Sequence, residues 1–120
     1  MREKKTTLGS HFSNGEIIFK QGTTGDCLYV IQEGNVDIII ESDDKETKVA
    51  ELSEKDFFGE MALFQKDVRS CTVRANGDVK VLTINKRNFY KTIQNDPSLA
   101  FNLLEKMSKR LRDTTKKLKE

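Results

Sequence analysis

From Glu16 to Ile84, apolar residues come in short runs separated by turn-forming residues. Glu16–Lys20 (EIIFK) leads into QGTTGD, a Gly-rich turn. Cys27–Glu33 (CLYVIQE) and Val36–Glu41 (VDIIIE) flank Gly34-Asn35, a pair that predicts a hairpin. In the second run Val36, Ile38 and Ile40 alternate with Asp37, Ile39 and Glu41, so one face of that strand should be buried. Ser42–Lys45 is polar and turn-like, and β character resumes over Glu46–Leu52. Arg69–Ala75 and Val79–Ile84 flank Asn76-Gly77-Asp78, a second predicted hairpin turn. Roughly six or more short strands at this spacing predict a sandwich or barrel.

Near Asn85 the period changes. Asn85 can cap a helix over about Lys86–Gln94, and Asp96-Pro97 reads as N-cap and first residue of another. In that second helix Leu99, Leu103, Leu104, Met107, Leu111 and Leu118 form an apolar stripe, interrupted by Thr114 and Thr115. A helix of about 20 residues is longer than a small barrel needs as a cover. Its stripe should pack on the barrel, on a second copy of the chain, or on both.

Composition narrows the class. A chain of 120 residues fits one domain, with a β region over about 12–84 and helices over about 86–119. The longest apolar run, Val36–Ile40, already contains Asp37, so no segment approaches a membrane span. The start, MREKKTTLGSHF, lacks the apolar core of a secretory leader, which predicts a cytoplasmic protein. Cys27 and Cys71 then read as reduced thiols. Twenty-one basic residues against nineteen acidic ones argue against a nucleic-acid coat. The basic end, Lys106–Lys119, has no interleaved aromatics and reads as a solvated helix face. His11 is the single histidine, so a metal site built on several histidines is excluded, which argues against a metal-dependent oxygenase or isomerase on a small barrel.

The chemistry concentrates in Phe57–Ala75, FFGEMALFQKDVRSCTVRA. Phe57 and Phe58 read as core. Gly59 permits close backbone approach, and Met61-Ala62-Leu63 reads as one short helical turn. Its unpaired N–H groups favour an anion. Arg69, at the mouth of a strand, adds a planar and permanently charged donor fork suited to phosphate. Ser70 adds a hydroxyl. Glu60 is an acceptor for a sugar hydroxyl. Phosphate plus ribose is the implied ligand.

Phe58-Gly59-Glu60-Met61-Ala62-Leu63, a spacer, and Arg69-Ser70-Cys71-Thr72-Val73 resemble the phosphate-binding cassette of cyclic-nucleotide-binding domains. LYVIQEGNVDIII resembles that family's early strands, and FYKTIQNDPSLAFNLLEKMSKRLRDTT resembles the helices after the barrel in the catabolite activator branch. The resemblance implies an antiparallel β-roll, jelly-roll-like, flanked by helices and ending in a long C-terminal helix. It implies a regulatory binding module rather than an enzyme, with a cyclic nucleotide as ligand, cAMP ahead of cGMP, and no metal or other cofactor. By the same resemblance Arg69 pairs with the exocyclic phosphate oxygens. Ser70 and the backbone of Gly59, Glu60, Met61 and Ala62 also reach phosphate, and Glu60 holds the ribose 2′-OH. Ile38, Val49 and Leu52 form apolar pocket wall. Arg110 pairs with the cassette glutamate, and Thr114 and Thr115 contact the base, one from each protomer of a homodimer.

This sequence departs from the pattern at Val68, where proline is common, and at Cys71, where alanine is common. It also ends without the helix-turn-helix that the catabolite activator branch carries, so no DNA-binding activity is expected of these residues. The rival to a sensor is a dimerisation module with a vestigial pocket, but the joint presence of Gly59, Glu60 and Arg69 argues against decay.

Overall fold

A computed structural model describes residues 9–59 and 67–119, with side-chain surroundings for all of these except 67, 86 and 114–119. The described residues form two compact units that divide at Lys86/Arg87, where the sequence pattern changes.

The first unit is antiparallel β structure. Its strands are β1 (Ser10–Phe12), β2 (Ile17–Phe19), β3 (Thr24–Gly25), β4 (Cys27–Ser42), β5 (Lys45–Leu52), β6 (Phe57–Phe58), β7 (Asp67–Val68) and β8 (Thr72–Asn85). The main sheet runs β1-β8-β4-β5, with β2 also pairing β8 and β6 also pairing β4. Strands β3 and β7 form a separate ribbon. Among the described residues the sheet does not close, and the architecture is roll-like.

Both hairpins expected at the Gly-Asn and Asn-Gly-Asp sites are replaced by two long strands. β4 runs straight through Gly34-Asn35, and β8 straight through Asn76-Gly77-Asp78. Cys27–Ile31 pairs with Val81–Asn85, and Val36–Ile39 pairs with Thr72–Ala75. The two turn signals face each other in the ladder, where Glu33 opposes Lys80 and Asn35 opposes Asn76. Gly34, at φ +94°, and Gly77, at φ +85°, therefore serve bulges that bend both strands together. A local hairpin would satisfy one short ladder. The long antiparallel pair satisfies both halves of each strand with a single partner. The tight turn lies instead at Asp43-Asp44, where both residues have positive φ and Ser42 opposes Lys45.

Phe12, Ile31, Val36, Phe58, Val73, Ala75, Val79 and Val81 form the core, with Ile18, Phe19, Tyr29, Ile38, Leu52 and Cys71 packed against it. Phe57 is fully buried, as its apolar context predicts. Val36 is buried as expected and Ile38 packs against the core, but Ile40 is only half-buried and Ile39, which alternation places outward, is buried.

The second unit holds α1 (Lys86–Asn95) and α2 (Pro97–Lys119). Asp96 precedes Pro97 as expected; its carbonyl accepts from Leu99 N–H and its carboxylate from the Ser98 hydroxyl. The α2 stripe divides. Leu99 and Leu103 are buried, whereas Phe101, Leu104 and Leu111 are about seven-tenths exposed. No helix among the described residues is long and apolar enough to cross a membrane.

Candidate functional site

The β3–β7 ribbon delivers the chain to Arg69. Thr24 opposes Val68 and Gly25 opposes Asp67. The pairing continues into the next residues, because Arg69 N–H donates to Thr23 O at 2.7 Å and Gly22 N–H donates to Arg69 O at 2.9 Å. The Gly-rich turn QGTTGD is thus the cradle of the arginine backbone.

The Arg69 side chain is turned inward and is only 6% exposed. Nη1 donates to Gly59 O at 3.2 Å and Nη2 donates to Cys27 O at 2.9 Å. The Cys27 Sγ lies 3.8 Å from Nη2. The guanidinium carbon sits 4.1 Å from the Phe19 ring centroid, in cation–π geometry. Phe19, Tyr29 and Phe58 form a continuous aromatic wall, with Tyr29 and Phe58 stacked at 5.1 Å. Burial pushes the Tyr29 phenol well above its usual range, and its hydrogen bond with Cys27 adds to the effect.

A buried guanidinium is costly unless it is paired. Among the described residues this one is met by carbonyl dipoles and a ring face, and none of their ion pairs involves it. Nη1 carries a second hydrogen beyond the one given to Gly59 O, whereas the second hydrogen of Nη2 is within reach of Cys27 Sγ. The geometry thus fixes a cation with donor capacity, the requirement for recognising phosphate.

Two glycines make room for it. A Cβ at Gly25 would lie 2.2 Å from Arg69 Nε, and one at Gly59 would lie 2.6 Å from Nη1. Gly25 needs no special backbone angle, so Gly25→Ala should displace the guanidinium while sparing the fold. We expect phosphate-ligand affinity to fall about tenfold or more, with a melting temperature within a few degrees of wild type. Titration calorimetry beside thermal unfolding checks this; unchanged affinity would mean that the arginine relocates without consequence.

Ser70 is exposed beside Arg69. Ile38 and Leu52 are half-buried against the core, on the paired strands β4 and β5. Val49 is bulged out between the partners of Ile38 and Ile39 and is 55% exposed. Arg110 is half-buried on α2. Thr114 and Thr115 are helical in α2, and their side chains lie outside the described residues. Glu60, Met61 and Ala62 lie outside them altogether. The sequence reading missed Phe19, Gly25 and the Cys27 carbonyl. Only the Gly-rich turn, which lies between Phe19 and Tyr29, hinted at them.

The fold is thus an antiparallel roll with a buried arginine at a strand mouth, held by two carbonyls and a ring face. The cyclic nucleotide-binding domain family matches residues 10–96, and the chain belongs to that family. It is 37% identical over 106 residues to the cAMP-activated global transcriptional regulator Vfr of Pseudomonas aeruginosa, covering 84% of this chain and 50% of that protein. It is 40% identical over 72 residues to the cAMP-dependent protein kinase type II regulatory subunit of Drosophila melanogaster, covering 60% of this chain and 19% of that one. The crystal structure of Thermus thermophilus catabolite activator protein superposes with a TM-score of 0.74 at 29% identity, over 91% of this chain and 52% of that one. The chain thus spans half or less of the length of these curated relatives.

Proposed function

We propose that this domain is a cAMP sensor that performs no chemistry and passes ligand occupancy to its C-terminal helices. One observation carries the reading: Arg69 is buried, and among the described residues it is met by two carbonyls, the Cys27 sulfur and a ring, with a second hydrogen on Nη1 beyond the one given to Gly59 O. In this reading Arg69 holds the exocyclic phosphate oxygens, aided by Ser70 and the backbone from Gly59 to Ala62. Glu60 accepts from the ribose 2′-OH. Ile38, Val49 and Leu52 line the apolar wall, Arg110 pairs with Glu60, and Thr114 and Thr115 reach the base.

Signal transfer requires two states with different affinity for the ligand. A ligand bonded both to the cassette and to Thr114 and Thr115 would supply that difference. The exposed Phe101, Leu104 and Leu111 of α2 support a homodimer through this helix, since such a stripe is stabilised by a second copy. Action in the cytoplasm follows from the same reading.

The test is calorimetric titration of refolded, ligand-stripped protein with cAMP and cGMP in parallel. We expect micromolar or tighter binding of cAMP and weaker binding of cGMP. A preference for cGMP of about tenfold, equivalent to roughly 1.4 kcal/mol, would reverse the base assignment. No heat from either, in folded protein, would leave a dimerisation module with a vestigial pocket.

A further inference from the structure

At the mouth of the roll, three side chains close a circuit behind Arg69. The β4–β8 ladder ends at the Ile39–Thr72 pair. Continued in register, it would set Glu41 opposite Ser70 and draw the cassette residues into the sheet. It does not continue, because the Gln21 carboxamide occupies the hydrogen-bonding groups of Glu41. Gln21 Nε2 donates to Glu41 O at 2.9 Å, and Glu41 N–H donates to Gln21 Oε1 at 2.8 Å. A side-chain amide thus stands where the next residue of β8 would pair.

Thr72 locks this substitution. It is fully buried. Its hydroxyl donates to Glu41 Oε2 at 2.6 Å and accepts from Gln21 N–H at 2.9 Å. Lys20 Nζ lies 3.2 Å from the same carboxylate oxygen. The Thr72 hydroxyl, and after it Lys20, hold the Glu41 carboxyl below the usual glutamate range. The residues that follow Gln21 are those that grip Arg69, through the Gly22–Arg69 and Arg69–Thr23 backbone bonds. Fixing Gln21 therefore fixes the frame from which the arginine projects.

From this circuit we infer that Thr72, Gln21 and Glu41 are positioning residues for Arg69: they end the sheet one step early and hold the turn that seats the guanidinium. The inference rests on the sensor reading for its consequence in binding, but not for its consequence at Arg69 itself.

The experiment uses the full chain with 15N-labelled arginine. The Arg69 Nε–H signal is assigned by its disappearance in Arg69→Lys. Without ligand, Thr72→Val should move that signal toward the positions of exposed arginines and speed its exchange with water, while Thr72→Ser, which keeps the hydroxyl, should retain the wild-type signal. With cAMP, affinity should fall about tenfold in Thr72→Val and recover in Thr72→Ser. In an Arg69→Ala background, Thr72→Val should cost no further affinity. Gln21 is only half-buried, so Gln21→Ala provides the same ligand-free readout should Thr72→Val unfold. An Arg69 signal unmoved in these variants would overturn the inference, as would equal losses in Thr72→Val and Thr72→Ser. If wild type binds no cyclic nucleotide, the sensor reading falls, and the ligand-free signal still decides the role of Thr72.

Discussion

Arg69→Ala should weaken cAMP binding by about tenfold to several hundredfold. The range follows from removing one or two charge-assisted hydrogen bonds at the lower end of roughly 1.5–3 kcal/mol each, at about 1.4 kcal/mol per tenfold. The upper part is favoured by the burial of the guanidinium, because little water is present to screen the charge at 6% exposure. Truncation also leaves the carbonyls of Gly59 and Cys27 without their donor, so some loss of stability should accompany the loss of affinity. Arg69→Lys separates the two effects of charge and fork. It keeps a cation but replaces the planar fork with a compact ammonium that cannot reproduce the fork's geometry, so its affinity should fall between wild type and Arg69→Ala. Calorimetry gives the affinities, and a denaturant midpoint for each variant verifies folding. Near-wild-type binding by folded Arg69→Ala would remove the observation on which the sensor reading stands.

Arg69 was legible in the sequence because its signal is a spaced pattern of side chains: glycine and glutamate, a spacer, then arginine and serine. Its partners were not legible. Two of them are backbone carbonyls, at Gly59 and Cys27, and a carbonyl has no signature in sequence. Gln21 was equally hidden. A glutamine beside a Gly-rich turn reads as a solvated polar residue, and only the end of the β4–β8 ladder reveals it as a substitute for main chain. The helical unit was the easier case. The change of period at Asn85 and the Asp96-Pro97 start depend on neighbours in sequence, and both elements begin where expected. The hairpins failed for the converse reason. Gly34-Asn35 and Asn76-Gly77-Asp78 specify positive φ and a break in pairing, which a turn and a bulge share. Which of the two forms is decided by a partner strand some forty residues away.

That distinction yields the second large effect, on stability. Gly34→Val should destabilise the domain by about 3 kcal/mol or more. A positive φ costs a side-chain-bearing residue of order 1–3 kcal/mol, and most for a β-branched one. The larger part comes from the facing strand: a Cβ at Gly34 would lie 2.3 Å from Asp78 O and 3.1 Å from Val79 Cα, both backbone atoms that cannot swing aside. The two strands would have to separate at the bulge that bends them, beside the buried Val36 and Val79. At roughly 4 °C per kcal/mol, the melting temperature should drop by about 10 °C or more. Gly77→Ala is the control. Gly77 has a similar φ of +85°, but nothing lies within 4 Å of its added Cβ. It should therefore lose only the conformational cost, about 1–2 kcal/mol. Equal losses at the two positions would mean that backbone angle alone matters. A much greater loss at Gly34 would establish that the approach of β4 to β8 is what forbids a side chain there, and that the paired bulges hold the two halves of the roll in register.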